Sequence, residues 1–212
     1  MKNKYVGVWN GLHKNFVQTN KVKYDDWLDD LEQIILNTNC EIIDLGCGVT
    51  GNNTRYLLEK GKSVISCDFA DEAIKVVSQF KGSKTLLFDM LEKFPFKDDF
   101  TDLVIADLSL HYFNEKDTFK IISEINRVLK SGGYLFFRVN STNSEEFINL
   151  VKENVEEIEP NLFYTKNMEK RFFSKTDIEH FFNGWRFISI VEEDMTRFGT
   201  NKIVWKCVVQ KK

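Results

Sequence analysis

The chain has 212 residues, enough to bury a hydrophobic core, and its 42% hydrophobic and 29% charged residues are ordinary for a globular protein. A formal net charge of −3, from 29 basic and 32 acidic residues without a basic stripe, argues against strong binding to nucleic acid. Because the sequence shows no signal peptide, no membrane-spanning run and no cysteine pair at metal-ligand spacing, we expect a cytoplasmic protein without a metal, with reduced thiols.

Hydrophobic periodicity alternates between helices and short strands along the chain. Helical spacing predicts an early amphipathic helix with Tyr24, Trp27, Leu28, Leu31, Ile34 and Ile35 on its apolar face. Apolar runs then predict strands at residues 41–45, 63–67, 85–88, 101–106 and 134–140. The helices between them are predicted at about 53–60, from 71 to near Gly82, and from about 114 to a stop at Gly132 and Gly133.

The end of the chain predicts a helix and a hairpin. Ser174 and Asp177 have capping-box spacing, and Gly184 ends the helix that they begin. Strands at 185–193 and 202–209 are joined by a turn near Phe198-Gly199, a connection too short for a parallel crossover. We therefore expect these two strands to pair antiparallel.

A glycine-rich turn follows the first strand, in Asp44-Leu45-Gly46-Cys47-Gly48 and then Val49-Thr50-Gly51. A strand, such a turn and a helix N-terminus form a nucleotide cradle, in which side chains at Gly46 and Gly48 would block the ligand. The Asp44 carboxylate would repel the pyrophosphate of a dinucleotide and favour a ligand that carries an ammonium group and a sulfonium. S-adenosylmethionine is such a ligand.

This segment resembles the first motif of the class I S-adenosylmethionine-dependent methyltransferases, with one extra residue before Gly51. Later features occur in the order found in that family: Asp68-Phe69 after the second strand, Asp89-Met90 after the third, and Asp107 to His111 after the fourth. The resemblance covers roughly Glu41 to Asn140 strongly and the flanks in outline.

The resemblance implies an α/β fold, a Rossmann-like three-layer sandwich whose mostly parallel seven-stranded sheet ends in an antiparallel hairpin. We expect residues 1–212 to form one domain, with a cofactor-binding core at 41–140 and a final helix and hairpin at 174–212. Residues 1–39 are then an N-terminal cap and residues 141–173 an insertion. Both should lie over the carboxyl ends of the strands, where ligands bind in open α/β sheets.

The same resemblance assigns the cofactor contacts. Asp68 is implied to accept hydrogen bonds from the ribose hydroxyls, Phe69 to form an apolar wall for the adenine, and Asp89 with Met90 to bind its amino group and ring. The full predicted cofactor set is Asp44, Gly46, Cys47, Gly48, Gly51, Asp68, Phe69, Asp89, Met90 and Asp107.

Three residues are candidates for the transfer step: Asp107 and His111 after the fourth strand, and Arg138 near the end of the fifth. His111 could accept a substrate proton or only pack. A charge in a central strand needs a partner, so Arg138 forms either an internal ion pair or a contact with an anionic substrate. The aromatic N-terminal residues Tyr5, Trp9 and His13 either line a lid or pack in the core.

In size and layout the chain is similar to small bacterial methyltransferases of the tellurite-resistance and thiopurine type. That similarity implies a small acceptor, such as a thiol or a chalcogen oxyanion, and we expect a monomer or homodimer that binds neither nucleic acid nor membrane. Two alternatives stay open. One is a cofactor-binding protein without catalysis. The other is a nicotinamide-dependent oxidoreductase using Gly46-x-Gly48-x-x-Gly51, and both Asp44 and the hairpin argue against this oxidoreductase.

Overall fold

The computed structural model describes residues 5–19, 25–195 and 202–212. Three residues named in the predictions, Tyr24, Phe198 and Gly199, lie outside these ranges. The helices are α1 Val6–Thr19, α2 Glu32–Asn37, α3 Asn52–Glu59, α4 Asp71–Val77, α5 Glu115–Val128, α6 Glu145–Lys152 and α7 Lys175–Phe181, and a 3-10 turn at Asp29–Leu31 precedes α2. The strands are β1 Ile42–Leu45, β2 Val64–Asp68, β3 Lys84–Leu87, β4 Thr101–Asp107, β5 Leu129–Asn140, β6 Glu157–Glu159, β7 Leu162–Thr165, β8 Met168–Arg171, β9 Arg186–Asp194 and β10 Ile203–Gln210.

Seven strands form one sheet in the order β3-β2-β1-β4-β5-β10-β9. The first five pair in parallel, and β10 pairs antiparallel with both β5 and β9. The predicted α/β fold, with its mostly parallel seven-stranded sheet and C-terminal hairpin, is confirmed. Strands β6, β7 and β8 form a separate small antiparallel sheet within residues 141–173.

The core lies on both faces of the large sheet. Side chains alternate along a strand, so the consecutive residues Phe136 and Phe137 of β5 pack into opposite clusters. Helices α5 and α7 cover the face of Phe137, and the 3-10 turn, α2 and α3 cover the face of Phe136. Burial of these apolar surfaces on two sides holds the parallel strands in a fixed register.

Three local boundaries differ from the sequence prediction. Helix α4 ends at Val77 rather than near Gly82. The early helix is split into the 3-10 turn and the six-residue α2. Helix α5 ends at Val128 rather than at the glycines, because Leu129 is already extended and pairs with Thr101 of β4. Gly132 instead lies within β5, where its φ is 76°.

The two parts of the N-terminal segment pack at different places on the sheet. Residues 25–37 pack on a face of the sheet, whereas α1 lies at the carboxyl ends of the strands. Asn10 docks α1 on α4, since its Oδ1 accepts a hydrogen bond from the backbone N–H of Glu72 at 3.2 Å, and Lys14 lies 3.6 Å from the Glu72 carboxylate. Within the described ranges, no helix combines the length and apolarity needed to cross a membrane.

Candidate functional site

A cavity of about 530 Å³ lies between α1 and the carboxyl ends of β1, β2 and β4. This volume is in the range of sites for small molecules and cofactors. Seven of the predicted site residues line it: Gly46, Cys47, Gly48, Asp68, Phe69, Met90 and Asp107. The other five do not: Asp44, Gly51, Asp89, His111 and Arg138. No cluster of three or more potential metal ligands occurs in the described part of the chain.

The two glycines of the first motif are required for different reasons. Gly46 has φ of 81°, and a Cβ there would lie 2.5 Å from Cβ of Ser109, whose hydroxyl donates to the Leu45 carbonyl at 2.8 Å. Gly46 is therefore needed for the close approach of the loop after β4. Gly48 has φ of 58° and lines the cavity, and a Cβ there would meet no atom within 4 Å. Only Gly48 fits the idea of space kept open for a ligand.

The third glycine faces away from the cavity. Gly51 adopts a left-handed conformation before α3, and a Cβ would lie 2.6 Å from the ring of Phe80. Thr50 and Asn52, on either side of Gly51, line the cavity. Gly51 thus allows the turn to pack against the region after α4.

Asp44 is fully buried beneath the glycine turn. Its carboxylate accepts hydrogen bonds from Asn53 Nδ2 at 3.0 Å and Thr54 Oγ1 at 2.8 Å, both in the first turn of α3. Asn53 also accepts the indole N–H of Trp27 at 2.9 Å. Burial raises the pKa of Asp44 to about 6, while these hydrogen bonds oppose the rise. At neutral pH the ionised carboxylate can act on a ligand in the cavity through its charge, although Asp44 does not line the cavity.

Asp68 joins the end of β2 to the glycine turn. Its Oδ2 accepts the backbone N–H of Gly48 and its Oδ1 that of Ala70, each at 2.9 Å. Each oxygen retains acceptor capacity on the cavity side, which suits a pair of ribose hydroxyls. Burial raises the pKa of Asp68, and the two backbone N–H groups oppose the rise. His13 from α1 is its neighbour; burial lowers the pKa of His13, and the charge of Asp68 works against that shift.

An apolar wall stands beside Asp68, formed by Phe69, Phe88 and Met90. Asp89 instead turns back on its own loop, where its Oδ1 accepts the backbone N–H of Leu91 at 2.9 Å. A flat heterocycle would pack against these apolar side chains, beside Asp68 and the open face of Gly48. The residues present therefore fit a cofactor with an apolar ring, vicinal hydroxyls and a positive charge.

Of the two interpretations of Arg138, the structure shows the internal ion pair. Its guanidinium is 2% exposed and bonds to the carboxylates of Asp107 and Asp25. Burial disfavours the charge, but the two carboxylates outweigh it and raise the pKa of Arg138. Its planar face also lies over the Trp27 ring, with 4.6 Å between Cζ and the ring centroid. Arg138 lies outside the main cavity and holds Asp107 at its margin.

His111 lies in the loop after β4 and is 1% exposed. Its Nδ1 has no hydrogen-bond partner among the described residues. Burial, followed by the charges of Lys170 and Lys202, holds the pKa of His111 well below its usual range, so the ring is neutral at physiological pH. Tyr112, next in sequence, does line the cavity, and burial raises the pKa of its phenol.

Three groups of residues were not predicted as site residues. Trp9, His13 and Phe16 of α1 line the cavity together with Tyr5, which precedes the helix, and this agrees with the lid alternative. Trp9 meets the Tyr112 ring edge-on with centroids 5.0 Å apart. Lys202 lines the cavity just before β10, and Ser109 lines it after β4. One signal pointed to Lys202: an antiparallel strand beside β5 begins at the edge where the parallel strands end.

Residues 43–137 match the family model described as a methyltransferase domain. The chain carries a class I S-adenosylmethionine-dependent methyltransferase domain. The predicted methyltransferase class and its cofactor, S-adenosylmethionine, are thereby confirmed for this domain, and the sheet confirms the predicted seven-stranded fold.

Three curated methyltransferases are similar to this chain. The tRNA (carboxymethyluridine(34)-5-O)-methyltransferase of Arabidopsis thaliana is 31% identical over 72% of this chain and 36% of its own length. The malonyl-[acyl-carrier protein] O-methyltransferase of Hamiltonella defensa is 26% identical over 65% and 49%. Phosphoethanolamine N-methyltransferase 1 of Triticum aestivum is 30% identical over 46% and 20%. The chain thus spans less than half the length of each of these methyltransferases.

Solved methyltransferases share the fold over most of the chain. A S-adenosylmethionine-dependent methyltransferase from Methanosarcina mazei superposes with a TM-score of 0.74 at 19% identity, covering 85% of this chain and 96% of that one. TehB from Haemophilus influenzae has a TM-score of 0.66 at 19% identity, covering 93% and 65%. At this identity the likeness concerns the fold, and it does not assign the tellurite-resistance or thiopurine type.

Proposed function

We propose that the protein transfers a methyl group from S-adenosylmethionine to a small-molecule acceptor, and that donor and acceptor share the cavity under α1. The observation that carries this proposal is the extent of that cavity, which reaches from Asp68 and Phe69 at β2 to Tyr112 and Lys202. Four strand spacings separate β2 from β10 in the sheet. At about 4.8 Å per strand, that is about 19 Å, enough for two ligands side by side.

The residues of the chain bind, align and exclude water. Asp68 holds the ribose, and Phe69 with Met90 flanks the adenine. The aromatic side chains of α1 close the cavity from above, which removes water from the transfer site. Bound S-adenosylmethionine supplies a methyl group that is already activated by its positive sulfur.

In the described cavity wall, no carboxylate or imidazole at the acceptor end is available to accept a proton. Asp107 is engaged by Arg138, His111 does not line the cavity, and burial keeps the Tyr112 phenol protonated. A nucleophile that arrives ionised needs no general base. This arrangement supports a thiol, chalcogen oxyanion or other small anionic nucleophile as the acceptor.

The acceptors in the names of the three similar methyltransferases are diverse: a tRNA nucleoside, a malonyl group on a carrier protein and phosphoethanolamine. They include a small molecule, and for this chain the cover of α1 and the net charge of −3 favour that class over RNA. We expect no gel shift of tRNA or duplex DNA at micromolar protein and physiological salt.

Transfer of label from methyl-labelled S-adenosylmethionine to a panel of thiols, selenite, tellurite, carboxylates, phenols and amines tests the proposal. S-adenosylhomocysteine should raise the melting temperature, and at least one small acceptor should become labelled. Binding of S-adenosylhomocysteine without labelling of any compound in the panel would contradict a small-molecule methyltransferase. Labelling of tRNA would then favour an RNA-directed enzyme, and no labelling at all would favour a non-catalytic protein.

A further inference from the structure

Lys202 lies at the acceptor end of the cavity. We infer that the acceptor carries an anionic group, a carboxylate or a chalcogen oxyanion, and that Lys202 binds this group. The inference rests on the proposed function and deepens it, since it names the charge of the acceptor and the residue that selects it.

The position of Lys202 follows from the sheet topology. Val204 of β10 pairs with Asn140, the last residue of β5, so Lys202 lies two residues beyond the carboxyl end of β5. In the sheet order β10 is two strands from β4 and four from β2, where Asp68 holds the ribose. Lys202 is therefore on the far side of the transfer site from the cofactor's ribose, about 10 Å beyond β4.

The charges around Lys202 favour an anionic ligand. Asp107 and Glu146 are the acidic groups that raise the pKa of Lys202. Both also form ion pairs with other cations: Asp107 with Arg138, and Glu146 with Lys170 and Lys166. Burial, then the charge of Lys170, lowers the pKa of Lys202 to about 8, and Arg138 acts in the same direction. An ammonium in such a site is mostly protonated at pH 7 and gains a charge-assisted hydrogen bond when an anion binds.

An anionic acceptor also balances the transfer step. The acceptor's lone pair forms a bond to the methyl carbon while the carbon–sulfur bond breaks and its electron pair stays on sulfur. One negative and one positive charge disappear together, and no proton has to leave. A neutral amine or phenol acceptor would have to lose a proton. In the described wall near Lys202, the Asp107 carboxylate is already bonded to Arg138, and the His111 imidazole is buried outside the cavity.

The test compares Lys202→Met and Lys202→Arg, with Lys175→Met on the exposed face of α7 as a matched control. Protein saturated with S-adenosylhomocysteine is titrated with benzoate, its neutral analogue benzamide, and selenite, followed by the fluorescence of Trp9 and the other tryptophans. We expect wild type to bind at least one anion in preference to benzamide. Lys202→Met should weaken that binding by roughly 10- to 100-fold, Lys202→Arg should retain most of it, and Lys175→Met should leave it unchanged.

Binding of benzoate supports a carboxylate acceptor, and binding of selenite alone supports a chalcogen oxyanion. Equal binding of benzamide and both anions, or anion binding that Lys202→Met leaves intact, would overturn the inference. Failure of S-adenosylhomocysteine itself to bind would instead sink the proposed function. If Lys202→Met binds S-adenosylhomocysteine with wild-type affinity, the variant is folded, and its loss of anion binding is not caused by misfolding.

The pH profile with an identified acceptor separates an anion-binding Lys202 from a general base. An anion-binding ammonium makes kcat/KM fall as pH rises through about 8, and arginine preserves activity. A neutral amine base makes kcat/KM rise over the same range, and arginine abolishes it; that outcome would overturn the inference. The charged and titratable groups facing Lys202 are Lys170, Asp107, Glu146, Arg138 and His111, and Lys202→Met identifies the part of the profile due to Lys202 itself.

Discussion

Asp107 and Arg138 face each other across β4 and β5 and are joined by two hydrogen bonds, from Nε to Oδ1 and from Nη2 to Oδ2, each 2.7 Å long. The same guanidinium bonds to Asp25, which precedes the 3-10 turn. One buried cation therefore fixes a cavity carboxylate and also ties the N-terminal segment to the sheet. Such two-pronged pairs restrict both partners in distance and angle.

Arg138→Met should destabilise the fold by roughly 3–5 kcal/mol, because it leaves two acidic side chains at a buried position without their cation. Urea unfolding measures the loss. Arg186→Met, at an exposed position on β9, is the control and should change the free energy of unfolding by less than about 0.5 kcal/mol. Unchanged stability with a raised KM for the acceptor would instead restore the substrate-contact alternative for Arg138.

Asp68→Ala should weaken binding of S-adenosylhomocysteine by roughly 10- to 100-fold, since it removes the acceptor of the ribose hydroxyls and of the Gly48 N–H. Titration calorimetry measures the affinity, and NAD serves as a ligand that we expect not to bind. Asp71→Ala, an exposed residue on α4, should retain wild-type affinity. Full affinity in Asp68→Ala would show that the ribose lies elsewhere.

Asp44 should make the free energy of unfolding fall as pH rises from about 4 to about 6. Its folded pKa, about 6, is higher than the ordinary value of 3.8, so its protonated form is favoured on folding. The contribution is complete below pH 4 and is lost through pH 6; two pKa units correspond to about 3 kcal/mol at most. Because other acids titrate in this window, the measurement is the difference in pH slope between wild type and Asp44→Asn. Equal slopes would contradict the raised pKa.

The glycines of the turn should separate ligand binding from stability. Gly48→Ala places a methyl group at a wall of the cavity and should lower the affinity for S-adenosylhomocysteine with a cost in stability of about 1–2 kcal/mol for its positive φ. Gly51→Ala should mainly lower the melting temperature, since its methyl group would meet Phe80. Calorimetric titration and thermal melting of both variants measure the two effects. Loss of affinity only in Gly51→Ala would reverse this assignment.

Much of the cavity wall that we propose for the cofactor could be predicted from local sequence. Asp68, Phe69 and Met90 directly follow their strands, and Gly46 and Gly48 lie in a turn between a strand and a helix, so chain order alone brings them to one edge of a parallel sheet. The final hairpin was predictable for the same reason, since a short connection permits only antiparallel pairing.

The roles of Arg138 and Asp44 depended on side-chain packing that the sequence does not reveal. Asp25 and Arg138 are 113 positions apart, so an ion pair and a substrate contact could not be told apart from sequence. Asp44 has the sequence position of a ligand contact, yet packing directs its carboxylate to Asn53 and Thr54.

The sequence by itself determined the alternation of strands and helices, the sheet type and the class of cofactor, because each of these depends on the periodicity and turn chemistry of neighbouring residues. Only the tertiary structure decided that α1 and Lys202 line the cavity and that Arg138 is an internal ion-pair partner. A side chain's partners are set by which elements the core brings together, and this depends on the packing of the whole chain.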